Sequence, residues 1–239
     1  MLADKLSPEQ SVGSVAINIH KSQEFLTELL SFIEKQLPIW KSRADRRDVT
    51  AETVLTSQLC AHLNSAARLS DGWDVLQFRV EETDEVQTSR KIDLISSPIG
   101  CAIIIDGRTY SDFDSLIPIE CKRLPTPTDS RRDKREYVIS DVSTTGGIQR
   151  FKNGNHAAAH NYCAMIGYIQ DKDAKYWRDT ISDWIDEIIK KSIPGWTTND
   201  HLKLISDNTT LGQSTLESVH TRKDVLEPIQ VRHLWISML

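Results

Sequence analysis

The chain has 239 residues, of which 39% are hydrophobic and 26% are charged, and its formal net charge at pH 7 is −5. This composition is that of an ordinary globular protein with enough residues to bury a sizeable core. The acidic balance argues against a protein that coats nucleic acid, although it permits an enzyme that carries a local basic patch.

The cysteines and the apolar segments bear on the compartment. Cys60, Cys101, Cys121 and Cys163 form no CxxC pair and have no regular spacing, so reduced thiols in a cytoplasmic protein are expected. The first twenty residues contain no continuous apolar run, and no stretch of about 18 apolar residues occurs elsewhere. The sequence therefore predicts neither a secretion signal nor a membrane span.

The first half of the chain is predicted to form two helices and then four strands. The helices cover about 21–36, ended by Pro38, and 51–69, capped by Thr50. Apolar runs rich in β-branched residues predict strands at 75–80, 91–95, 101–105 and 116–122. Asp106-Gly107 is a turn signal, and Pro118 places the fourth strand at an edge, an entry or a bulge.

The second half alternates helices and strands before it ends in strands. A polar, basic segment at 124–136 precedes a short helix near Gly146-Gly147-Ile148-Gln149-Arg150-Phe151. The further elements expected are helices at 157–162 and 173–191 and strands at 164–169, 202–206, 217–221 and 229–236. The order predicts a mixed α/β chain that forms a single domain over residues 1–239.

Two of the predicted strands carry isolated charged residues among apolar ones. In Ile117-Pro118-Ile119-Glu120-Cys121-Lys122, residues two apart share a face, so Glu120 and Lys122 project together. In Lys91-Ile92-Asp93-Leu94-Ile95, Asp93 projects from the face opposite to Ile92 and Leu94. If these strands pair, Asp93 lies close to Glu120, with Lys122 beside both.

This set of groups suits phosphodiester hydrolysis. Two carboxylates, with the backbone carbonyl of Cys121, can bind a hard cation such as Mg²⁺ or Mn²⁺ through oxygen. The cation polarises the phosphate and acidifies a bound water, and Lys122 orients that water or stabilises developing charge. A Glu-x-Lys pair alone is commonly a solvated charge pattern, so the combination with Asp93 carries the prediction.

Ile-Asp-Leu followed by Ile-Glu-Cys-Lys resembles the PD-(D/E)xK nuclease superfamily. The resemblance implies a restriction-endonuclease-like mixed β-sheet flanked by helices, with a core at about 50–170. A helical extension at 15–40 and a C-terminal helix and strands at 173–239 would be additions. It also implies that Asp93 and Glu120 bind the metal and that Lys122 is the catalytic lysine. An extra strand-like segment between Asp93 and Glu120 leaves Asp106 as a rival for the first carboxylate.

The same resemblance suggests supporting residues. Glu52, on the inward stripe of its helix, would bind a second metal or a metal-bound water, unless it only complements the helix dipole. Arg150 and Gln149 would meet phosphate near Gly146-Gly147, or else belong to an ordinary helix-capping loop. The basic residues of the loop would contact a phosphate backbone or simply be solvated, and those expected to bind nucleic acid are Arg123, Arg131 and Arg132.

His156 and His160 are four residues apart, a spacing that can bind zinc, but no third ligand is evident. The sequence contains no nucleotide-binding loop, so any ATP-driven step would need a separate ATPase or helicase. The expected partner is nucleic acid, DNA before RNA, and a homodimer is an open alternative. The segment from Gly147 to Ile169 also resembles nuclease-like proteins of bacterial phage defence. A catalytically silent binding module of the same fold, or an RNA-directed nuclease, are the alternative functions.

Overall fold

A computed structural model of the chain describes residues 22–128, 132–141, 146–223 and 226–239. These residues form four α-helices, a short 3-10 helix and nine strands. The helices are α1 (Ser22–Lys41), α2 (Glu52–Arg68), α3 (Gly147–Lys152) and α4 (Ala174–Lys190), with the 3-10 helix at Thr198–Asp200. The strands are β1 (Leu76–Thr83), β2 (Lys91–Pro98), β3 (Ile103–Ile105), β4 (Arg108–Tyr110), β5 (Ile117–Leu124), β6 (Tyr162–Ile169), β7 (Lys203–Asn208), β8 (Gln213–His220) and β9 (Ile229–Ser237).

Seven of the strands form one mixed sheet in the order β1-β2-β5-β6-β9-β8-β7. The strands β5, β6 and β9 run parallel to one another, and the flanking pairs are antiparallel. The two remaining strands, β3 and β4, form a separate hairpin through Asp106 and Gly107, both at positive φ. The predicted mixed α/β class is therefore confirmed, and so is the turn at Asp106-Gly107.

Strand β6 shows how the core is divided between the two faces of the sheet. All eight of its residues are buried. Ala164, Ile166 and Tyr168 pack in a core with α1 and α2, whereas Cys163 and Met165 pack in a second core with α4. This alternation follows from the two-residue period of a strand, and it places helices on both faces of a parallel centre.

The first helix continues through Pro38 to Lys41, so the predicted end at Pro38 is wrong. Proline lacks the N–H that would bond the carbonyl of Glu34. The side-chain amide of Gln213, on β8, donates to that carbonyl at 2.5 Å and replaces the missing bond. Tertiary contact therefore overrides a local stop signal.

Two further expectations need correction. Thr50 does not cap α2, because the N-cap is Ala51, which makes no side-chain cap bond. Residues 157–161 form turns, and β6 already begins at Tyr162. Ala157 has a φ of 58°, its N–H donates to Asp84 at 3.1 Å, and its carbonyl accepts from Arg222. These bonds from distant residues outweigh the helical preference of the alanine run.

Pro118 lies on a central strand, so the expectation of an edge is wrong and that of an entry is confirmed. It is the second residue of β5 and pairs with Ile95 of β2. The pairing with β6 begins one residue later, at Ile119. Its missing donor therefore falls before the ladder with β6 begins.

Candidate metal and phosphate site

The lysine of β5 is surrounded by four oxygen atoms from three elements. Its Nζ lies 2.8 Å from Glu120 Oε1, 3.4 Å from Glu52 Oε1, 3.5 Å from Asp93 Oδ2 and 2.9 Å from the carbonyl of Cys121. Glu120 and Lys122 meet because alternate residues of β5 share a face, as the sequence predicts. The structure thus brings together all four residues expected to form the catalytic centre.

Asp93 reaches this centre through a local opening of the sheet. The pairing of β2 with β5 covers only Leu94–Ser96 and Ile117–Ile119. Beyond it, Asp93 Oδ2 accepts from the backbone N–H of Cys121 at 2.8 Å, a position that a strand carbonyl would otherwise take. Asp106, the rival acid, is exposed in the β3–β4 turn, so the preference for Asp93 agrees with the structure.

Glu52 enters from the first turn of α2. Its Oε2 accepts from the backbone N–H of Arg123 at 3.0 Å, while Oε1 faces Lys122. Helix dipole and lysine therefore both favour its negative charge. The side chain of Glu52 is 17% exposed and that of Asp93 is 29% exposed, against 5% for Lys122 and none for Glu120. Solvent reaches the centre past these two acids.

Glu120 is bonded through both of its oxygens. Oε1 accepts from Arg150 and forms an ion pair with Lys122, and Oε2 lies 3.2 Å from His156 Nδ1. Arg150 was expected to meet phosphate, but its guanidinium points inward to this carboxylate. His156 was considered only as a zinc ligand with His160, so its contact with Glu120 was missed. We name Glu52, Asp93, Glu120, Lys122, Arg150 and His156 the lysine cluster.

Charges in the lysine cluster set the protonation of its acids. Burial opposes ionisation of Glu120, but Lys122, Arg150 and His156 outweigh burial and hold the pKa of Glu120 below its usual value. Burial and the charge of Glu120 raise the pKa of Asp93 to about 6, against the opposing effects of Lys122 and the Cys121 N–H. Although burial opposes its charge, the carboxylates of Glu120, Asp93 and Glu52 raise the pKa of Lys122. Asp93 therefore takes a proton before Glu120 does.

The donor set suits a hard cation, but its spacing is centred on the ammonium. Carboxylate and carbonyl oxygens are the ligands preferred by Mg²⁺ and Mn²⁺. Within residues 22–128, 132–141, 146–223 and 226–239, however, no group of three or more His, Cys, Asp or Glu side chains is arranged to hold a metal ion. The oxygens stand 2.8–3.5 Å from Nζ, whereas Mg²⁺ requires about 2.1 Å.

The residues expected to bind nucleic acid are not gathered on one surface. Gln149 Oε1 accepts from the backbone N–H groups of Ser140 and Gly146 at 3.2 and 3.3 Å, so its oxygen caps α3. Arg132 pairs with Glu136, and Arg123 donates to the carbonyl of Thr50. Arg131 lies outside the described residues. Within the described part of the basic loop, Arg132 and Arg135 are therefore paired with acids.

Gly146 and Gly147 approach the chain itself. A Cβ at Gly146 would collide with the backbone of Ile139, and one at Gly147 would meet the side chain of Met165 at 2.5 Å. The glycines are thus required by internal packing, and the expected close approach to a phosphate is not needed to explain them.

A second buried polar cluster lies on the C-terminal side of the sheet. Successive hydrogen bonds of 2.5–2.8 Å join its members in a line, which we name the histidine chain: Lys152, Asp200, His220, Ser218, His233, Tyr137 and Trp235. These residues are at most 4% exposed. Their separation in sequence left no local pattern, so sequence reasoning did not find them.

The direction of each hydrogen bond in the histidine chain follows from the groups at the two ends of the chain. The indole N–H of Trp235 can only donate, so Tyr137 accepts from it and donates to His233 Nδ1. His233 then donates from Nε2 to Ser218, which donates to His220 Nε2, and His220 donates from Nδ1 to Asp200. Every group is satisfied with both histidines neutral. Burial lowers the pKa of both histidines, which agrees with this order.

Comparisons of the chain with protein-family models, with curated proteins and with solved structures found no match. The four cysteines are unpaired, and Cys60, Cys121 and Cys163 are buried. Among the described residues, no helix is long and apolar enough to cross a membrane.

Proposed function

We propose that the chain is a divalent-metal-dependent nuclease with a restriction-endonuclease-like fold, acting on DNA. The observation that carries this proposal is the convergence of four oxygens, from Glu52, Asp93, Glu120 and Cys121, on the ammonium of Lys122. A buried point that attracts one cation through carboxylates and a carbonyl has the chemistry of a magnesium site. The ammonium therefore stands where the metal would bind.

Charge supports the same proposal. The lysine cluster contains three carboxylates against two permanently cationic side chains, Lys122 and Arg150. Burial raises the pKa of Asp93 most, and the negative charges of Glu120 and Glu52 add to that effect. An acid with a raised pKa, partly open to solvent and beside like charges, is typical of functional sites.

The residues of the lysine cluster would have distinct roles in binding the metal and the phosphate. Asp93, Glu120 and the Cys121 carbonyl would hold Mg²⁺ or Mn²⁺, with Glu52 able to contribute. The cation supplies Lewis-acid polarisation of the phosphate and a more acidic water. Lys122, displaced outward from the oxygens, would donate hydrogen bonds to the phosphate. Arg150 and His156 would fix the orientation of Glu120 through its two oxygens.

The alternative is a silent binding module of the same fold. It is favoured by one observation: both oxygens of the fully buried Glu120 are already bonded to Arg150, Lys122 and His156. In that case the cluster would be a stable ion network, and nucleic acid would be bound without cleavage. A role in phage defence and a separate ATPase partner are further parts of the proposal. A cleavage assay with both nucleic acids tests the preference for DNA over RNA.

The test is cleavage of circular and linear DNA, and of RNA, with Mg²⁺, Mn²⁺ or EDTA. Wild type would be compared with Asp93→Asn and with the control Asp106→Asn, which keeps a residue suited to the left-handed turn. We expect metal-dependent cutting that falls by about 100-fold or more in Asp93→Asn and is unchanged in Asp106→Asn. Equal loss in both variants would contradict the site. Binding without cutting by folded wild type would favour the silent module.

A further inference from the structure

A cavity lies between the end of α1, the connection at 42–50 and the outer part of α2. Its lining includes three arginines, Arg43, Arg46 and Arg47, beside a single acid, Asp45. Asp45 is held by Arg43 through two bonds of 2.8 and 2.5 Å, which leaves the charges of Arg46 and Arg47 in excess. We name this cavity the arginine pocket.

Three side chains that line the arginine pocket carry a buried polar atom without a hydrogen-bond partner. They are Trp40 Nε1, Gln58 Oε1 and His62 Nδ1. Trp40 is 1% exposed and His62 is 8% exposed. A buried polar atom without a partner is costly, and such atoms are rare in folded proteins. Three such atoms belong to side chains that line one cavity, and a polar ligand bound there could satisfy them after a small shift of the cavity wall.

The other ends of these side chains are fixed. His62 Nε2 lies 3.1 Å from Gln36 Oε1, and Gln58 Nε2 donates to the carbonyl of Arg47 at 3.1 Å. Burial, reinforced by the charge of Arg43, lowers the pKa of His62. A neutral His62 that donates from Nε2 to Gln36 presents a lone pair at Nδ1. The orientations of the His62 and Gln58 side chains are thus set before any ligand binds.

The unpartnered atoms and the charges define the ligand. Trp40 Nε1 and the arginines are donors, so they require acceptor oxygens with negative charge. Gln58 Oε1 and His62 Nδ1 are acceptors, so they require N–H or O–H donors. A phosphate ester that carries donors a few ångströms away supplies both, and a nucleotide is such a molecule.

We infer that the arginine pocket binds a nucleotide through its phosphate group, either free or within a nucleic-acid strand. The arginine pocket and the lysine cluster both draw residues from α2. Gln58 and His62 follow Glu52 on α2 by six and ten residues, which is about 9 and 15 Å along the helix. At about 3.4 Å per nucleotide, these distances along the helix correspond to roughly three to four nucleotides. Only the strand-bound source rests on the proposed function.

The test follows the indole N–H signal of Trp40 by nuclear magnetic resonance. The protein is Asp93→Asn, which prevents cutting, and Trp40→Phe identifies the signal. The probes are inorganic phosphate, a nucleoside monophosphate and a short DNA oligonucleotide. We expect the Trp40 signal to shift with each probe, and Arg46→Gln to weaken binding about tenfold. The control Arg178→Gln, on α4, should leave affinity unchanged.

The outcomes distinguish a free nucleotide from a nucleic-acid strand, and they test the arginine pocket separately from the nuclease proposal. Oligonucleotide binding far tighter than that of the monophosphate would support the strand-bound source, and equal affinities would support a free nucleotide. No shift of the Trp40 signal at millimolar phosphate or nucleotide would overturn the inference, because water alone would then fill the pocket. An Arg46→Gln variant that binds as wild type does would also overturn it. None of these readings depends on cleavage, so a failure of the nuclease proposal remains distinct.

Discussion

The lysine cluster and the histidine chain are both buried polar networks, but they differ in the balance between acidic and basic groups. In the histidine chain, one carboxylate, Asp200, faces Lys152 and His220, and each donor along the line meets one acceptor. In the lysine cluster, three carboxylates crowd one ammonium. A buried network without excess charge has a structural role, whereas the proposed cation site depends on the excess of carboxylates at a partly open point.

The largest expected effect comes from removing the buried anion of the lysine cluster. Glu120→Gln removes the counterion of Arg150 and the nearest of the three carboxylates around Lys122, so the free energy of unfolding should fall by about 3–5 kcal/mol. Urea denaturation measures this loss. The matched control is Asp179→Asn, which removes an exposed ion pair with Lys175 and should cost less than about 1 kcal/mol. A similar loss in both variants would show that Glu120 is not a buried counterion.

The second effect is a pH dependence of opposite sign in the two networks. The pKa of Asp93 is raised to about 6, so folding binds its proton more tightly. This stabilisation is complete below the usual pKa near 3.8 and is lost as pH rises through 6. It amounts to about 3 kcal/mol. In EDTA, Asp93→Asn should therefore flatten the stability of the protein between about pH 4 and pH 6.

The histidine chain should show the reverse slope. The pKa of His220 is lowered from 6.5, so its contribution to stability is present above 6.5 and is lost as pH falls below it. His220→Gln should remove this part of the slope. Denaturant titrations of the two variants at several pH values would separate the contributions. Parallel pH profiles for wild type and both variants would contradict the assignment of the two groups.

A smaller effect is expected from breaking the histidine chain at its hydroxyl. Ser218→Ala removes the partner of His220 Nε2 and of His233 Nε2, and the loss of these two hydrogen bonds should lower the free energy of unfolding by about 1–3 kcal/mol in total. Cleavage and metal binding by the folded protein should not change, because among the described residues no hydrogen bond joins the histidine chain to the carboxylates of the lysine cluster. A loss of metal affinity in Ser218→Ala would erase the distinction between the two networks.

Local patterns predicted the parts of the site that lie on one strand or one helix. The alternation in β5 predicted that Glu120 and Lys122 share a face, and the helical spacing predicted that Glu52 faces inward. The direction of Arg150 and the position of His156 could not be predicted, because they depend on how α3 and the loop after it pack on β5. The same reason explains α1, whose passage through Pro38 depends on Gln213, far away in sequence.

The metal site proposed at the lysine cluster is tested most directly by the affinity for Mn²⁺, measured by calorimetry near neutral pH in wild type and in Lys122→Met. If the ammonium occupies the cation site, its removal frees the four oxygens. Lys122→Met should then bind Mn²⁺ more tightly than wild type does, gain thermal stability on adding Mn²⁺, and fail to cleave DNA. Absence of Mn²⁺ binding in both folded proteins would contradict the metal site and leave the cluster as a structural ion network.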